Sequence, residues 1–183
     1  MDASRKKTVL IGIASSAGFL LLLALGWLLY FKLQFSVYQD ELYDFSIKYP
    51  KTWKVVIHPY KNVAVVFLRP KDTALDTMQE NFNVTIQPVP ENLLKLDAYS
   101  ATIKRQLTGT FSTIKIDEEK HLRWGWREGN MIAYQEPASH FEMVNAWVLR
   151  SDQAYILTFL GERSKYPQDA LYVKEMIHSL QLH

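Results

Sequence analysis

The stretch VAVVFL (residues 63–68), with its counterpart AYILTFL (residues 154–160), is apolar at nearly every position. A strand with one face in water alternates apolar and polar residues, whereas a strand buried on both faces does not. We therefore expect these two strands to lie in a central sheet that is covered on each side. The sequence predicts three layers, an α/β/α sandwich around a mainly antiparallel sheet.

Short strands separated by turn residues account for most of the chain beyond residue 40. Turn-type clusters at residues 49–52, 127–130 and 151–153 lie between apolar runs, which is typical of antiparallel hairpins. Nine strands are predicted, at residues 45–49, 53–57, 63–68, 82–87, 112–117, 121–127, 131–135, 141–149 and 154–160.

Two further segments have helical periodicity. Apolar residues recur at three- and four-residue spacing from residue 96 to 107, and Gly109 is placed to end this helix. A second helix is predicted from Pro167, a good first helical residue, to about Leu180. Both helices are amphipathic and need a sheet to pack against, so the fold class is α+β.

The N-terminal part of the chain has a different character. Residues 8–31 contain no charged side chain, and about 20 apolar residues are enough to cross a hydrocarbon core of about 30 Å. We predict a single transmembrane helix there, between a cytoplasmic tail at residues 1–7 and a connector at residues 32–39. The α+β domain then occupies residues 40–183.

Charges flanking this segment predict its orientation. Arg5, Lys6 and Lys7 precede it and only Lys32 follows, so the positive-inside rule keeps the N-terminus in the cytoplasm. The protein is thus predicted in the cytoplasmic (inner) membrane, with its domain periplasmic or otherwise extracytoplasmic. A cleaved signal peptide is the competing interpretation, but signal peptides have shorter apolar runs of about 7–15 residues.

Small residues in the predicted transmembrane helix suggest contact with another helix. Gly12 and Ser16, and likewise Ala14 and Gly18, are spaced four residues apart, a pattern that lets helices approach closely in the bilayer. An integral membrane protein complex and the lipid bilayer are therefore the predicted partners, although such residues are also common in membrane helices in general.

The composition of the remaining chain argues against several functions. From Leu33 onward 17 basic residues face 18 acidic ones, so there is no surplus of positive charge for nucleic acid. Glycines are scattered singly there, which gives no phosphate-binding loop and predicts no nucleotide partner. With no cysteine and no hydrolase or protease motif, we predict a non-enzymatic protein without a cofactor.

One pair of residues suggests a metal site. His140 and Glu142 alternate on a predicted strand, so both side chains would leave the same face and could share zinc or manganese with a third ligand. Two ordinary surface residues on a strand would produce the same pattern.

Aromatic and arginine side chains provide candidates for a partner interface. Trp124 and Trp126 share one face of the predicted strand 121–127, and packing in the core is the alternative role for them. Tryptophan, tyrosine and arginine dominate the energetics of binding surfaces. The interface candidates are Trp124, Trp126, Arg123, Arg127, Arg150, His58 and Tyr60. The loop at residues 70–81 is a further candidate.

The order of these segments resembles the PsbP family, named for an extrinsic subunit of photosystem II. The resemblance covers about residues 38–182 and includes YDFSIKYPKTWKV (43–55), FNVTIQPVP (82–90), LDAYSATIKRQL (96–107), AYILTFLG (154–161) and YPQDALYVKEMIHSLQL (166–182). It implies an antiparallel sheet between helices, in a protein that docks on a larger assembly, including photosynthetic complexes. The predicted transmembrane helix departs from the transit peptide or lipid anchor of the family.

Together these observations predict a membrane-anchored accessory subunit without catalytic activity. Its extracytoplasmic domain would dock on and stabilise a larger integral membrane complex, with a photosynthetic reaction centre or light-harvesting assembly as the first candidate. The alternative is a stand-alone envelope protein that binds a small apolar ligand or a metal.

Overall fold

The computed structural model describes residues 20–74, 76, 78–110 and 113–183. The chain divides into two compact units between Phe35 and Ser36. Residues 20–33 of the first unit are helical (α1). Across the described ranges, no helix combines the length and the apolarity that a membrane span requires. Residues 8–19 of the predicted span lie outside the described residues, and Gly12, Ala14, Ser16 and Gly18 are among them.

The chain from residue 35 onward forms two antiparallel sheets and two helices. Its strands are β1 (Phe35–Asp40), β2 (Phe45–Pro50), β3 (Lys54–Tyr60), β4 (Val63–Leu68), β5 (Asn81–Pro88), β6 (Lys115–Trp124), β7 (Arg127–Glu136), β8 (Phe141–Arg150), β9 (Gln153–Glu162) and β10 (Gln181–Leu182). The helices are α2 (Leu96–Thr110) and α3 (Tyr166–His178), with a short 3-10 turn at Glu91–Leu93. Seven strands form the large sheet in the order β3-β4-β5-β9-β8-β7-β6, and the small sheet has the order β1-β2-β10.

Helix α2 covers one face of the large sheet. Its Tyr99 packs in a buried cluster with Ile132 of β7 and Trp147 of β8. The hydroxyl of Ser100 accepts hydrogen bonds from the Trp147 indole at 2.9 Å and from the Asn130 amide at 2.7 Å. A buried polar residue in the helix thus satisfies two buried donors of the sheet.

Helix α3 and the small sheet cover the opposite face. Phe45 of β2 lies edge-on to Tyr155 of β9, with ring centroids 6.1 Å apart, and Tyr38 of β1 lies edge-on to Phe67 of β4 at 5.9 Å. Val173, Met176 and Ile177 of α3 are buried. The side layer on this face is therefore part helix and part sheet.

These contacts confirm the prediction of an α+β fold dominated by its sheet. The cover on the two faces is unequal, however. Val65 and Phe67 are fully buried beneath the small sheet and α3, whereas Val66 between them is only half-buried. The cluster under α2 involves β7, β8 and β9, so the opposite side of β4 keeps partial access to solvent.

One predicted turn is wrong. Residues 127–130 lie inside β7, and the hairpin turn is formed by residues 125–126. Gly129 is required for close approach, because a Cβ at this position would collide with the main-chain oxygen of Trp147 and come within 2.5 Å of Cζ3 of Trp124. Gly129 therefore serves close packing within β7, although the sequence pattern predicts a turn there. The strands predicted at residues 112–117 and 121–127 are a single strand, β6.

Candidate functional site

Four turns meet at one end of the second unit, which we call the hairpin end: residues 41–44, 61–62, 125–126 and 151–152. The register of the large sheet aligns three of them across its width. Successive partners in one row are Tyr60 and Val63, Val63 and Thr85, Thr85 and Ile156, Ile156 and Trp147, Trp147 and Asn130, and Asn130 and His121. The β3–β4 turn begins one residue beyond this row, and the β8–β9 and β6–β7 turns begin four residues beyond it.

Trp126 lies at the tip of the β6–β7 hairpin and is 80% exposed. Gly125 has a positive φ of 61° and Trp126 does not, the pattern of a two-residue type II′ turn that only glycine adopts without strain at its first position. The guanidinium of Arg127 lies 4.0 Å from the centre of the Trp126 ring, a cation–π contact. The turn therefore exposes the Trp126 ring to solvent, and the Arg127 side chain packs against it.

Trp124 has the opposite environment. It is buried, and its indole N–H donates a 2.6 Å hydrogen bond to the main-chain carbonyl of Ile177. The prediction that Trp124 and Trp126 share one face of a strand is wrong, because β6 ends at Trp124 and the turn begins after it. Trp124 is part of the core, as the alternative role for it proposed, while Arg123 forms an exposed ion pair with Glu128.

Arg150 fastens the β1–β2 turn to the β8–β9 hairpin. Its Nη2 lies 2.7 Å from a carboxylate oxygen of Asp44, and its Nη1 donates to the Asp44 carbonyl at 3.2 Å. The Tyr155 hydroxyl donates to the Tyr43 carbonyl at 2.7 Å in the same region. The interface candidate Arg150 is thus engaged within the domain, where it fixes the position of a neighbouring turn.

His58 lies beside a buried carboxylate that the sequence did not single out. A bulge between Ile57 and Tyr60 and a positive φ of 45° at His58 aim its ring at Asp40, with Nε2 2.9 Å from Oδ2. Bulges commonly re-aim a side chain in this way. The ring also lies edge-on to Tyr43, with centroids 5.8 Å apart.

Asp40 is 2% exposed and organises this corner of the hairpin end. It accepts hydrogen bonds from the Tyr38 hydroxyl at 2.8 Å and from the Tyr43 N–H at 3.0 Å. Burial alone would raise the pKa of the Asp40 carboxyl, but these hydrogen bonds and the contact with His58 outweigh it and hold the pKa below its usual value. Burial, together with the carboxylate beside it, raises the pKa of Tyr38.

Large apolar side chains are exposed around these fixed turns. Tyr60 is 76% exposed and Leu42 is 70% exposed. The structure therefore brings Trp126, Arg127, Arg150, His58 and Tyr60 to the same end of the domain. Sequence reasoning missed Asp40 and Leu42. The signal for Asp40 was its place at the start of a four-residue turn, where an aspartate accepts from an N–H later in the turn.

The predicted metal pair is not assembled. His140 lies in the turn at residues 137–140 with a positive φ of 59°, and β8 begins after it, so the alternation that placed it beside Glu142 does not apply. Glu142 is buried, and desolvation together with Asp117 raises its pKa. Within the described ranges, no three His, Asp or Glu side chains are grouped as a metal site.

The loop at residues 70–80 lies at the opposite end and is held by a network of charges. Nζ of Lys165 lies 3.2 Å from Oε1 of the buried Glu80 and 3.3 Å from Oδ2 of Asp76. Arg69 pairs with Asp72 at 2.9 Å and with Asp169 of α3 at 2.9 Å. Asp72, Asp76 and Glu80 thus attach this loop to the start of α3.

The chain was compared with known proteins. No protein-family model matches the sequence, and no curated protein matches it. Among solved structures, cyanobacterial PsbP (CyanoP) from Synechocystis sp. PCC 6803 is similar, with a TM-score of 0.60 at 12% identity over 82% of this chain and 93% of that chain.

Two other structures have the same fold. A Pseudomonas aeruginosa protein of unknown function has a TM-score of 0.60 at 11% identity, over 82% of this chain and 98% of its own. The Ran-binding protein Mog1p of Saccharomyces cerevisiae has a TM-score of 0.55 at 8% identity, over 81% and 95%. None of the three is described as an enzyme. At these identities the similarity establishes a PsbP-like fold.

Proposed function

We propose that this protein is a non-catalytic accessory subunit that is anchored in the membrane and docks on a larger integral membrane complex through its hairpin end. The observation that carries the proposal is the presence of two exposed aromatic side chains at the hairpin end, Trp126 on the β6–β7 turn and Tyr60 at the end of β3. Binding surfaces depend on a few aromatic and arginine anchors of this kind.

Several side chains and turns of the hairpin end are already held in place by contacts within the domain. Arg127 supports the Trp126 ring, Arg150 fixes the β1–β2 turn, and Asp40 holds His58. Ordering side chains and loops at an interface costs free energy, so groups that are already fixed bind with a smaller loss of entropy. This favours a docking surface over a set of unrelated loop tips.

The membrane anchor supports the same function by a different route. Residues 8–31 carry no charge and follow three basic residues, so we propose that they hold the protein in the cytoplasmic membrane with the domain outside. Tethering raises the effective concentration of the domain near its partner, so that a modest interface suffices. By its likeness to PsbP, the first candidate partner is a photosynthetic reaction centre or light-harvesting assembly.

The experiment is a native purification of the full chain with an epitope tag at its N-terminus. Membranes are extracted with mild detergent, and we expect the protein to migrate with a multi-subunit complex. The double variant Trp126→Ala with Tyr60→Ala should stay in the membrane fraction and lose at least about tenfold of the complex, since hot-spot truncations cost about 2 kcal/mol or more each.

The matched control is Ile116→Ala, which truncates an exposed apolar residue near the other end of β6. This variant should remain in the complex. Recovery of the wild-type protein as a free monomer would contradict the proposal and favour the stand-alone envelope binding protein. A double variant that stays bound would show that docking does not use the hairpin end.

A further inference from the structure

The two edges of the large sheet differ. At one edge, β3 carries the bulge at His58 and then Pro59, which has no N–H to donate. Both features protect an edge from pairing with another strand. At the other edge, β6 pairs with β7 in unbroken register from Glu118 to Trp124. In the described part of the chain, no strand pairs with the outer side of β6.

A groove follows this open edge. Helix α3 lies beside β6, and between them is a cleft of about 220 Å³. The floor of the cleft is apolar, and its members are Leu122, Met131, Val144, Val173 and Ile177. Strand and helix run in the same direction, since Glu118 and Tyr166 line the cleft near their starts while Trp124 bonds to Ile177 near their ends.

The sides of the groove are basic. Lys174 and His178 are exposed on the α3 side, and neither has an acidic partner among the described residues. On the strand side, Lys120 already forms an ion pair with Glu118, the one acidic residue that lines the cleft. The uncompensated charge on the rim is therefore positive, through Lys174.

We propose that the groove between β6 and α3 binds an extended acidic segment of a partner protein, which adds to β6 as an eighth strand. Main-chain hydrogen bonds to an open edge supply affinity in such complexes, and pockets for alternate side chains supply specificity. Here apolar side chains of the segment enter the cleft, and acidic ones meet Lys174 and His178. The many charges on β6 keep the unoccupied edge from pairing with other copies.

The proposal is independent of docking at the hairpin end and can be tested separately. The full chain in mild detergent is immobilised and panned against a phage library of random nine-residue peptides. We expect enrichment of peptides that alternate apolar residues and contain at least one acidic residue. A synthetic copy of the enriched sequence should slow hydrogen exchange at residues 118–124.

Two variants show where the peptide binds. Lys174→Glu combined with His178→Glu changes exposed positions and should weaken binding of the acidic peptide at least about tenfold, and a peptide with lysine in place of its acidic residues should then bind better. Ala170→Trp, which fills the cleft from the helix side, should abolish binding. Lys95→Glu, which reverses an exposed charge just before α2 and outside the cleft, is the matched control and should leave binding unchanged.

Three results would overturn the proposal. One is that panning enriches no peptide. Another is that the enriched peptides bind the charge-reversed variant as tightly as the wild type. The last is that protection appears in α3 and the cleft but not along β6, which would indicate a small apolar ligand site instead of strand addition.

Discussion

The indole N–H of Trp124 donates to the main-chain carbonyl of Ile177 at 2.6 Å, and this bond joins the edge strand β6 to the last turn of α3. Carbonyls in the last turn of a helix have no partner within the helix. Trp124 therefore caps α3 from the sheet, and the bond closes the end of the groove between them.

We expect Trp124→Phe to lower the free energy of unfolding by about 1–2 kcal/mol, because it removes this hydrogen bond while keeping most of the ring. Trp124→Ala should cost about 3–5 kcal/mol through the additional cavity. Urea unfolding of the full chain in mild detergent, followed by circular dichroism, measures both. Trp126→Phe is the control and should change stability by less than about 0.5 kcal/mol; equal effects at the two positions would refute the assignment of Trp124 as a cap.

Gly129→Ala should destabilise the domain by about 1–3 kcal/mol through overpacking, because its Cβ would lie within 2.5 Å of Cζ3 of Trp124. Gly109 of α2 provides the matched control, since a Cβ there meets no atom within 4 Å. Gly109→Ala should raise stability by about 0.5–1 kcal/mol. The midpoints of denaturant unfolding of the two variants should therefore shift in opposite directions. A shift of the same sign in both would contradict the close packing at Gly129.

Asp40→Asn should weaken the fold at neutral pH and flatten its acid dependence. Because the pKa of Asp40 is lowered in the folded protein, its ionised form contributes stability above the unfolded value near 4, and this contribution is lost as the pH falls through the folded value. We expect a loss of about 1–3 kcal/mol at pH 7 in the variant. Urea midpoints between pH 3 and pH 7 should fall less steeply for the variant, and parallel curves would exclude this role of Asp40.

Lys165→Met should release the loop at residues 70–80. The variant removes the nearest cation of the buried Glu80 carboxylate and leaves it with Nη1 of Arg69 at 3.7 Å. A buried charge with weaker compensation favours local opening. Limited proteolysis should cleave within the loop about tenfold faster than in the wild type. Lys104→Met removes a cation from an exposed pair with Glu119 and is the control, for which the cleavage rate should not change.

Long periodic elements of this fold could be predicted from sequence. The stripe of α2 and the apolar run of β9 are local signals, and both elements formed where they were expected. Strand β1 lies mostly within the predicted connector at residues 32–39. Strand β10 could not be predicted, because it has only two residues and is defined by its pairing with β2, far away in the chain. No local pattern records such a pairing.

In the candidate site, too, features with a local sequence signal could be predicted and features that depend on distant contacts could not. Trp126 and Tyr60 were identified by residue type, which is a local property. The separation of Trp126 from Trp124 depends on a two-residue turn that starts at Gly125. The sequence pattern instead predicted the turn at residues 127–130, which include Gly129. Asp40 and His58 meet only because the bulge in β3 turns the histidine ring, and a bulge has no signature in one sequence.

The small sheet also affects the order and the rate of the folding steps. Its last contact joins His183 to Ser46, which are 137 residues apart in the chain. Contacts between residues so far apart in the chain form slowly, because the entropy of closing a large loop is lost before the contacts can stabilise the fold. Phe45 and the strands beneath it therefore stay uncovered until residues 166–182 arrive, and this late step should set the rate of folding.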